Sequence, residues 1–398
     1  MSNCIIAQSG GPTSVINASV VGVVKENLEK KLYNNVYAGI NGIEGILNKN
    51  IINLSEKSLE QLERFRFTPS SGLGSCRYKM KNFNDSADEY IKLFDILKEL
   101  NIDTFFYVGG NDSMDTVAKL SEYTKLNNIP VKVIGIPKTI DNDLPITDHT
   151  PGFGSAAKLI STLTLETYLD SSVYINNGIF ILETMGRDTG WLAASSCAAK
   201  LGGKPVADFI YLPEIIFSED QFIKDVAKKF KEQNQVYIVA SEGLKNKNGD
   251  FISTCNISGA HDNFGHAQLG GVGNYLKTLI INAGITKRVK ALELGVIQRC
   301  SMHIASKIDL EESYMVGKAA LTYAYEGNSG YMVAINRDSN TPYKSSTMLV
   351  DANKVANNIK YFPKEWINAE GNNLTNDAMS YIEPLVDNDI PSYEVFNK

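Results

Sequence analysis

Two short segments of this sequence combine glycines, carboxylates, hydroxyls and one lysine in a way that suits phosphate chemistry. The first, at 109–113, reads Gly-Gly-Asn-Asp-Ser, and the second, at 137–143, reads Pro-Lys-Thr-Ile-Asp-Asn-Asp. Either of two aspartates, Asp141 or Asp143, could remove a proton from a hydroxyl group, which typically accelerates a reaction by ~10²–10⁴. Lys138 could neutralise the charge of a phosphoryl group during its transfer. These segments predict a site for a phosphate and its Mg²⁺.

The first segment also has an ordinary structural explanation. Asn111, Asp112 and Ser113 all favour the N-cap position of a helix, and the two glycines could simply turn the chain. As metal chemistry, Asn111 and Asp112 offer the hard oxygens that Mg²⁺ prefers, although this ion keeps waters and takes few protein ligands. The second segment is harder to explain structurally, because a loop needs no such density of charge.

A third glycine-rich turn, Ser-Gly-Gly-Pro-Thr-Ser at 9–14, opens a helical pattern. The free backbone N–H groups of a helix start bind anions, and glycines allow a ligand to approach the backbone closely. The turn matches neither GxGxxG nor GxxxxGK[ST], which disfavours both a dinucleotide site and a Walker-type site. A capped strand-to-helix turn without any ligand remains an equal alternative.

These segments each follow a short apolar run that reads as a buried strand. The predicted strands are Cys4–Gln8, Asn35–Ala38, Thr104–Val108, Val131–Ile136, Gly178–Leu182, Phe209–Leu212, Gln235–Ala240 and Gly330–Ile335. The predicted helices include Ser14–Lys30, Asp85–Leu100, Ser113–Leu126, Gln221–Lys231 and Gly271–Ala283. This alternation predicts an α/β fold with a parallel sheet and helices on both faces. Ligands of such folds bind outside the carboxyl ends of the strands, where the segments lie.

Composition excludes several classes of protein. The chain has 398 residues, which is long enough for two lobes. Hydrophobic residues make up 43% of it and charged residues 21%, an ordinary balance for a globular protein. A net charge of −6 and a pI near 5.5 argue against a nucleic-acid partner, which usually meets a basic face. No apolar run approaches the ~18 residues of a membrane span, so we expect no membrane association.

The cysteines and histidines are few and widely spaced. Five cysteines without a CxxC pair indicate reduced thiols and a cytoplasmic protein rather than a disulfide framework or a zinc site. The presence of only four histidines argues against a histidine-based metal centre. A Gly- and His-rich segment at 259–271 could touch a ligand through His266 or Gln268, but a structured loop before a helix is the favoured interpretation.

Taken together, the motifs resemble those of the phosphofructokinase family. The matching segments are SGGPTSVINA at 9–18, GLGSCR at 72–77, GGNDS at 109–113, PKTIDND at 137–143, MGR at 185–187, ASEG at 240–243 and GVIQR at 295–299. They run in the expected order through roughly residues 4–335, and the tail lies outside them.

The resemblance implies a direct phosphoryl transfer to the C1 hydroxyl of fructose 6-phosphate, a step of glycolysis and gluconeogenesis. Asp141 is the expected general base, with Thr139 contacting both the sugar and the transferring group. The remaining expected contacts to the sugar phosphate come from residues of several motifs, namely Ile140, Met185, Gly186, Arg187, Glu242, Val296, Ile297, Gln298 and Arg299. The expected cofactor is Mg²⁺, with Asn111 as its ligand and Asp143 as the second candidate.

The resemblance also assigns residues to the phosphoryl donor. Gly11 and Arg77 are expected near it, and Asp112 and Lys138 are expected to bind it and to act in catalysis. ATP-using members typically have glycines at these last two positions, whereas pyrophosphate-using members have Asp and Lys. A carboxylate at 112 would occupy the volume of the α-phosphate of ATP. At a separation of ~4 Å, its charge would also repel that phosphate by about 1 kcal/mol in bulk water and by about 4 kcal/mol at an effective dielectric constant of 20.

The family's architecture gives expectations for the lobes. The fold class is α/β, with two Rossmann-like three-layer lobes and mostly parallel sheets. Residues 1–150, completed by part of 305–360, would form the lobe that binds pyrophosphate and Mg²⁺, and 151–304 the sugar-phosphate lobe. Residues 355–398 would form an extension packed on the body, as Pro363 and Trp366 suggest. A homodimer or homotetramer is expected.

One departure from the family's pattern affects the 6-phosphate pocket. Two arginines that bacterial ATP-using relatives contribute from a neighbouring subunit correspond here to Gly178 and Ile308 in an ungapped alignment. Neither side chain can donate a hydrogen bond. Replacements could come from other cationic side chains, namely Lys287, Arg288, His303 and Lys307.

Two other functions remain as alternatives. The nearest is an ATP-dependent kinase of the same fold. A protein that binds sugar phosphate without catalysis is the other, although Lys138, Asp141, Asp143 and Arg187 are all retained.

Overall fold

The computed structural model describes residues 1–252 and 269–396. Within them the strands, in chain order, are β1 (Asn3–Gln8), β2 (Val36–Gly39), β3 (Ile51–Asn53), β4 (Ile102–Gly109), β5 (Lys132–Pro137), β6 (Ile179–Thr184), β7 (Lys200–Leu201), β8 (Lys204–Pro205), β9 (Phe209–Tyr211), β10 (Val236–Ser241), β11 (Val289–Glu293), β12 (Tyr331–Asn340) and β13 (Tyr343–Asp351). The segment at 259–271 that contains His266 and Gln268 lies almost wholly outside the described residues.

The α-helices alternate with the strands, as the sequence pattern predicted. They are α1 (Ile16–Lys30), α2 (Gly42–Leu47), α3 (Leu59–Arg66), α4 (Asp88–Glu99), α5 (Asn111–Leu126), α6 (Phe153–Ser171), α7 (Trp191–Ser195), α8 (Glu219–Gln233), α9 (Val272–Asn282), α10 (Lys307–Tyr325), α11 (Ala352–Val355) and α12 (Asn376–Leu385). No helix in the described part of the chain is long and apolar enough to cross a bilayer.

The chain divides into two compact units. The first, called unit 1, contains residues 1–155 and 299–360, and the second, unit 2, contains 156–298 and 361–398. The predicted boundaries at 150 and 304 lie near these divisions. The ligand assigned to each lobe stays a prediction.

Unit 1 is built on a seven-stranded sheet with the order β13-β12-β5-β4-β1-β2-β3. Strands β2, β1, β4, β5 and β12 run parallel to one another, and β3 and β13 pair antiparallel at the two edges. The predicted α/β class with a mostly parallel sheet is confirmed.

The central strands of unit 1 are buried on both faces, as expected of parallel strands covered by helices. Side chains alternate along a strand, so Cys4 and Ile6 pack on one side among residues of α1 and α10. Ile5 and Ala7 pack on the other side among residues of α2, α4 and α5. The result is the three-layer arrangement that holds the carboxyl ends of β1, β4 and β5 in place.

Unit 2 has a smaller sheet of four parallel strands in the order β11-β6-β10-β9. Its core contains residues of these strands and of α8 and α9, among them Ile181, Ile238, Phe222 and Leu276. A short antiparallel hairpin, β7–β8, lies outside that sheet. Residues 361–398 belong to this unit rather than to unit 1.

Candidate active site

The two segments that carry the predicted chemistry of unit 1 leave adjacent strands at the same edge. In the parallel register of β4 and β5, Val108 pairs with Ile136 and Gly109 with Pro137. Strand β1 lies on the other side of β4, with Gln8 opposite Val108. The glycine turn after β1 and the segments after β4 and β5 therefore start side by side.

Lys138 and Arg299 lie against the glycine turn that follows β1. The Lys138 ammonium donates a hydrogen bond to the Gly11 carbonyl oxygen at 2.5 Å. A Cβ atom on Gly10 would stand 3.3 Å from Lys138 Nζ, and one on Gly11 would stand 3.0 Å from Arg299 Nη1. Gly10 also has a φ of +75°, which favours glycine. Two cations thus lie directly against the backbone of this turn.

Lys138 is almost fully buried, at 3% exposure. Burial lowers the pKa of its ammonium to about 8, although Asp141 and Asp143 oppose that effect and Arg299 and Arg77 add to it. Of these groups, Arg77 is the exposed one. Unit 1 therefore gathers two further cations and two carboxylates around one lysine, an arrangement able to bind a polyanion.

The base candidate, Asp141, stands on a loop that is firmly held. Its backbone N–H donates to Thr139 Oγ1 at 3.1 Å, which fixes the turn between them. The neighbouring Asn142 is fully buried with a φ of +53°, and its side-chain oxygen accepts from the N–H of Thr150 and from Lys360 Nζ, both at 3.1 Å. Asp141 itself is half-buried. The chain on either side of the carboxylate is therefore fixed.

A buried charged cluster supports the far end of this loop. His149, 1% exposed, lies between Asp148 Oδ1 at 2.8 Å and Glu312 Oε2 at 2.6 Å. Burial opposes the charged imidazolium, but Glu312 and Asp148 outweigh it and raise the pKa of His149 to about 9. Tyr343 donates to the other oxygen of Glu312 at 2.6 Å, and Arg337 Nε donates to Asp148 at 2.9 Å.

A second buried carboxylate, Asp309 on α10, supports the end of the loop that leads into α6. Its oxygens accept from the N–H of Gly152 at 2.8 Å, from the N–H of Ser155 at 2.9 Å and from the Ser155 hydroxyl at 2.5 Å. Burial raises the pKa of this carboxyl to about 6. Neither Asp309 nor His149 was a predicted site residue, because their importance depends on partners distant in sequence.

Asn111 is used mainly as a structural tether. Its side-chain oxygen accepts from the N–H of Asn357 at 2.6 Å, and its amide nitrogen donates to the carbonyl groups of Val355 and Asn358. Only the second lone pair of that oxygen remains for a metal ion. Asp112 lies half-buried in the first turn of α5, where the helix dipole favours a carboxylate.

The described residues contain no group of three or more His, Cys, Asp or Glu side chains that could hold a metal ion. A site composed entirely of such protein ligands is therefore not part of this portion of the chain. Magnesium bound through phosphate oxygens and water needs only one or two protein ligands, and the Asn111 side-chain oxygen with the half-buried carboxylate of Asp112 fits that requirement.

In unit 2 the segment Met185–Arg187 leaves β6 at the carboxyl end of the sheet. The Met185 N–H donates to Gln298 Oε1 at 3.1 Å, and the Gly186 N–H to Glu242 Oε1 at 3.3 Å. The Ser241 hydroxyl donates to the Gly186 carbonyl oxygen. The structure thus brings together four of the predicted sugar-site residues of this unit through backbone contacts.

Glycines set the shape of this segment. Gly186 has a φ of +125°, and a Cβ atom on it would stand 2.7 Å from the carbonyl oxygen of Thr189. A Cβ atom on Gly243 would stand 2.0 Å from the carbonyl oxygen of Arg187 and 2.5 Å from that of Gly186. Since both obstacles are backbone atoms, any larger side chain at 243 must displace the segment.

The remaining predicted residues of the sugar site are more exposed or belong to unit 1. Val296 and Ile297 are 60% and 43% exposed in a 3₁₀ turn, and Arg187 forms an ion pair with Asp188 at 2.9 Å. Arg299 belongs to unit 1, like Thr139, Ile140 and Asp141.

The four cationic side chains that could replace the missing arginines at the 6-phosphate lie two in each unit. Arg288 precedes β11, so it lies at the amino end of the sheet of unit 2, opposite to Met185, with its guanidinium over the Tyr174 ring. Lys287 is its neighbour at that end. His303 and Lys307 belong to unit 1. Neither Lys287 nor Arg288 can therefore join the Met185 segment of its own unit.

Comparisons with known proteins extend beyond these motifs. The family model described as phosphofructokinase matches residues 3–321. A relative from Methylococcus capsulatus, named pyrophosphate–fructose 6-phosphate 1-phosphotransferase, is 39% identical over 98% of this chain and 93% of its own length. A relative of the same name from Halomonas elongata is 38% identical over 98% of this chain and 94% of its own length.

A solved structure has the same fold. The crystal structure of a pyrophosphate-dependent phosphofructokinase from Nitrosospira multiformis superposes with a TM-score of 0.88 at 35% identity. The match covers 99% of this chain and 94% of that one. It includes the residues after 321, which the family model does not cover.

Proposed function

This chain belongs to the phosphofructokinase family, and we propose that it transfers a phosphoryl group from pyrophosphate to the C1 hydroxyl of fructose 6-phosphate. The products are fructose 1,6-bisphosphate and phosphate, and the reaction is reversible because donor and product are both simple phosphates. The observation that carries the choice of donor is the buried Lys138, which reaches the glycine turn after β1 and donates to the Gly11 carbonyl oxygen.

Asp112 and Lys138 together favour a short donor. The ammonium of Lys138 is a direct countercharge for pyrophosphate, and Arg77 and Arg299 add to the same positive field. Asp112 at the start of α5 would meet the α-phosphate of a nucleotide with both bulk and negative charge. The rival, an ATP-dependent kinase, needs this position to be small and neutral.

We assign Asp141 as the general base that accepts the proton of the C1 hydroxyl during direct in-line attack. Thr139 and Ile140 would contact the sugar next to it. The other proposed contacts are the seven residues from two loops and a 3₁₀ turn of unit 2, namely Met185, Gly186, Arg187, Glu242, Val296, Ile297 and Gln298, together with Arg299 of unit 1. Lys138 would stabilise the transferring group.

We propose Mg²⁺ as the cofactor, bound chiefly through pyrophosphate and water. Asn111 could offer the second lone pair of its side-chain oxygen, and the half-buried carboxylate of Asp112 lies next to it in the chain. Asp143 is a further candidate. When bound, the ion would neutralise charge on the phosphate oxygens.

We also propose a homodimer or homotetramer located in the cytoplasm. Four cysteines of the described residues, Cys4, Cys76, Cys197 and Cys300, are free thiols, which suits a reducing compartment. Light scattering after size-exclusion chromatography measures the number of subunits, and a monomer at all concentrations would reject the oligomer.

The donor is tested by initial rates with pyrophosphate and with ATP on the same preparation, at saturating fructose 6-phosphate and Mg²⁺. We expect pyrophosphate to be the better donor, and a tenfold preference for ATP would reject the proposal. Activity with neither donor, in the presence of measurable fructose 6-phosphate binding, would favour a sensor without catalysis.

The roles of the two donor residues are tested by the double variant Asp112→Gly, Lys138→Gly. We expect loss of the pyrophosphate activity and a detectable gain with ATP. The control double variant Asp338→Gly, Lys344→Gly removes one carboxylate and one ammonium at exposed positions of the same unit. If the kcat/KM for pyrophosphate of the Asp112→Gly, Lys138→Gly variant equals that of this control, the assigned roles are contradicted.

A further inference from the structure

One carboxylate of unit 2 joins two distant backbone segments. Glu214 follows β9, and its Oε1 atom accepts the N–H of Gly190 and the N–H of Phe362, both at 2.9 Å. Gly190 ends the segment that begins at Met185, whereas Phe362 opens the C-terminal region beyond the family motifs. A carboxylate that accepts two backbone N–H groups forms stronger bonds than a neutral acceptor would.

Gly190 packs closely against this carboxylate. A Cβ atom on Gly190 would stand 2.7 Å from Glu214 Oε2 and 2.8 Å from Leu212 Cβ. The Oε2 atom is itself buried and has no hydrogen-bond partner among the described residues. Burial raises the pKa of the Glu214 carboxyl, opposed by its contacts with Gly190 and Phe362. Burying a carboxylate with one oxygen that lacks a hydrogen bond destabilises the fold, so we expect a functional role of Glu214 in addition to packing.

The C-terminal region adds an aromatic cluster to the same place. Trp191, which directly follows Gly190, has its ring centroid 4.9 Å from that of Phe362 and 5.3 Å from that of Tyr381. Trp366 lies 5.2 Å from Tyr381 and 6.1 Å from Trp191. Trp191 and Phe362 are 3% and 1% exposed. Aromatic pairs at such distances stabilise the packing beyond the effect of burial alone.

The same region is also fixed to the sheet of unit 2. The N–H of Ile210 in β9 donates to the carbonyl oxygen of Asn372 at 2.8 Å, and Asn373 Nδ2 donates to the carbonyl oxygen of Asp208 at 2.9 Å. These bonds cover the free edge of β9. The aromatic cluster is therefore attached to a rigid strand rather than to a loose tail.

We propose that Glu214 and the C-terminal segment 362–381 form a brace that positions the Met185–Gly190 segment for binding of the sugar phosphate. Glu214 is a positioning residue here, because it acts through the backbone of Gly190 and not on the substrate. The inference rests on the proposed function, which assigns Met185, Gly186 and Arg187 to the sugar phosphate. It gives the C-terminal region a role in acceptor affinity.

The test uses the full chain and separates affinity for the two substrates. For Glu214→Ala we expect the KM for fructose 6-phosphate, and its Kd by calorimetry without donor, to rise about tenfold, the effect of roughly one charge-assisted hydrogen bond. The kcat and the KM for pyrophosphate should stay within about twofold of the wild type. The conservative Glu214→Gln variant retains an acceptor for Gly190 and Phe362 and should recover most of the affinity.

A second pair of variants approaches the brace from the other side. Trp366→Ala should raise the same KM by about threefold to tenfold, and Trp366→Phe, which retains an aromatic contact, should restore it. Because both tryptophans of the chain lie in this cluster, the emission maximum of Glu214→Ala reports whether the cluster is intact.

Either of two results would overturn the brace. In one, the fructose 6-phosphate KM and Kd of Glu214→Ala stay at the wild-type values. In the other, both KM values and kcat worsen together, in proportion to the loss of thermal stability, as expected of a purely structural role. Failure of the donor proposal is distinct, since the calorimetric Kd for fructose 6-phosphate requires neither pyrophosphate nor turnover.

Discussion

The two loops that carry the predicted chemistry are stabilised in different ways. In unit 1, the loop from Lys138 to Gly152 is held by charged and polar side chains, with His149 and Asp309 buried at its supports. In unit 2, the segment from Met185 to Gly190 donates its backbone N–H groups to Gln298, Glu242 and Glu214, and its glycines pack against carbonyl oxygens. The first loop depends on a buried ion pair between side chains, whereas the second depends on contacts to its backbone and on close steric packing.

This difference predicts how each loop fails. Buried charges depend on protonation, so the loop of unit 1 should respond to pH and to the removal of a single charge. Glycine packing is insensitive to pH but does not tolerate an added methyl group. If the proposed roles are right, changes in unit 1 affect turnover and the donor, whereas changes in unit 2 affect affinity for the sugar phosphate.

The largest effect is expected for Asp141→Asn. The amide retains the shape of the side chain but cannot accept the proton of the attacking hydroxyl, so kcat should fall by about 10²–10⁴. The KM values for both substrates should change little, whereas thermal stability should fall modestly because Asp141 supports the charge of the buried Lys138. Steady-state kinetics in the direction of fructose 1,6-bisphosphate synthesis measure the change.

The control for this variant is Asp95→Asn, which removes one carboxylate from an exposed position on α4. It should leave kcat unchanged. A kcat for Asp141→Asn within about tenfold of the wild type would exclude Asp141 as the general base.

The next largest effect concerns the buried imidazolium of unit 1. In His149→Gln the carboxylates of Asp148 and Glu312 lose the cation between them, which should cost about 3–5 kcal/mol of stability. The exposed His303 provides the matched control, because His303→Gln should leave stability unchanged. Thermal or denaturant unfolding at pH 7 measures the difference between the two variants.

The same histidine predicts a pH dependence of stability. Its pKa is about 9 in the folded chain and near 6.5 when unfolded, so its contribution is complete below pH 6.5 and is lost as pH rises through 9. The contribution is roughly 3 kcal/mol, because a tenfold change in proton affinity corresponds to about 1.4 kcal/mol. The melting temperature of the wild type should therefore fall more than that of His149→Gln between pH 7 and 9.5. Parallel melting curves would show that the imidazolium contributes nothing there.

The comparison also shows which features a sequence can predict. The motifs placed Asp112, Lys138 and Asp141 at the ends of β4 and β5, because parallel strands deliver such segments to one edge. The supports of the loop could not be found in this way. Asp309 and Glu312 lie more than 150 residues away from Ser155 and His149, and nothing in the local pattern around α10 distinguishes a carboxylate that accepts backbone N–H groups from a solvated one.

Two further features depended on tertiary contacts. Strand β11 was not assigned from the sequence, since Lys290 and Glu293 interrupt its apolar pattern where it forms an edge of the sheet. The hydrogen bond of Phe362 to Glu214 required the fold of unit 2, because no motif connects these residues. Propensity and spacing predict elements, whereas long-range polar contacts appear only once the elements are packed.

The steric half of the comparison is tested by Gly243→Ala. The added methyl group would stand 2.0 Å from the carbonyl oxygen of Arg187, so the segment must shift, at a cost of about 1–3 kcal/mol. We expect a higher KM for fructose 6-phosphate and a lower melting temperature, with no new pH dependence. Gly110→Ala in unit 1 is the control for stability, since its methyl group would meet nothing closer than 3.5 Å. Equal melting temperatures for the two variants would reject the steric account.

The smallest expected effect is the response of the donor site to alkaline pH. Burial lowers the pKa of Lys138 to about 8, so the ammonium that would meet pyrophosphate is lost above that pH. The kcat/KM for pyrophosphate reports groups of the free enzyme, and it should fall by about tenfold for each step of one in pH above 8. The reverse reaction distinguishes ionisation of the enzyme from ionisation of the substrate, because phosphate ionises over a different pH range from pyrophosphate.

If activity falls above the same pH in both directions, the ionising group belongs to the enzyme. Lys138→Arg should then abolish this alkaline decrease, because arginine retains its charge. An alkaline limb that moves with the substrate would instead show that Lys138 stays protonated, and that the carboxylates of Asp141 and Asp143 outweigh its burial.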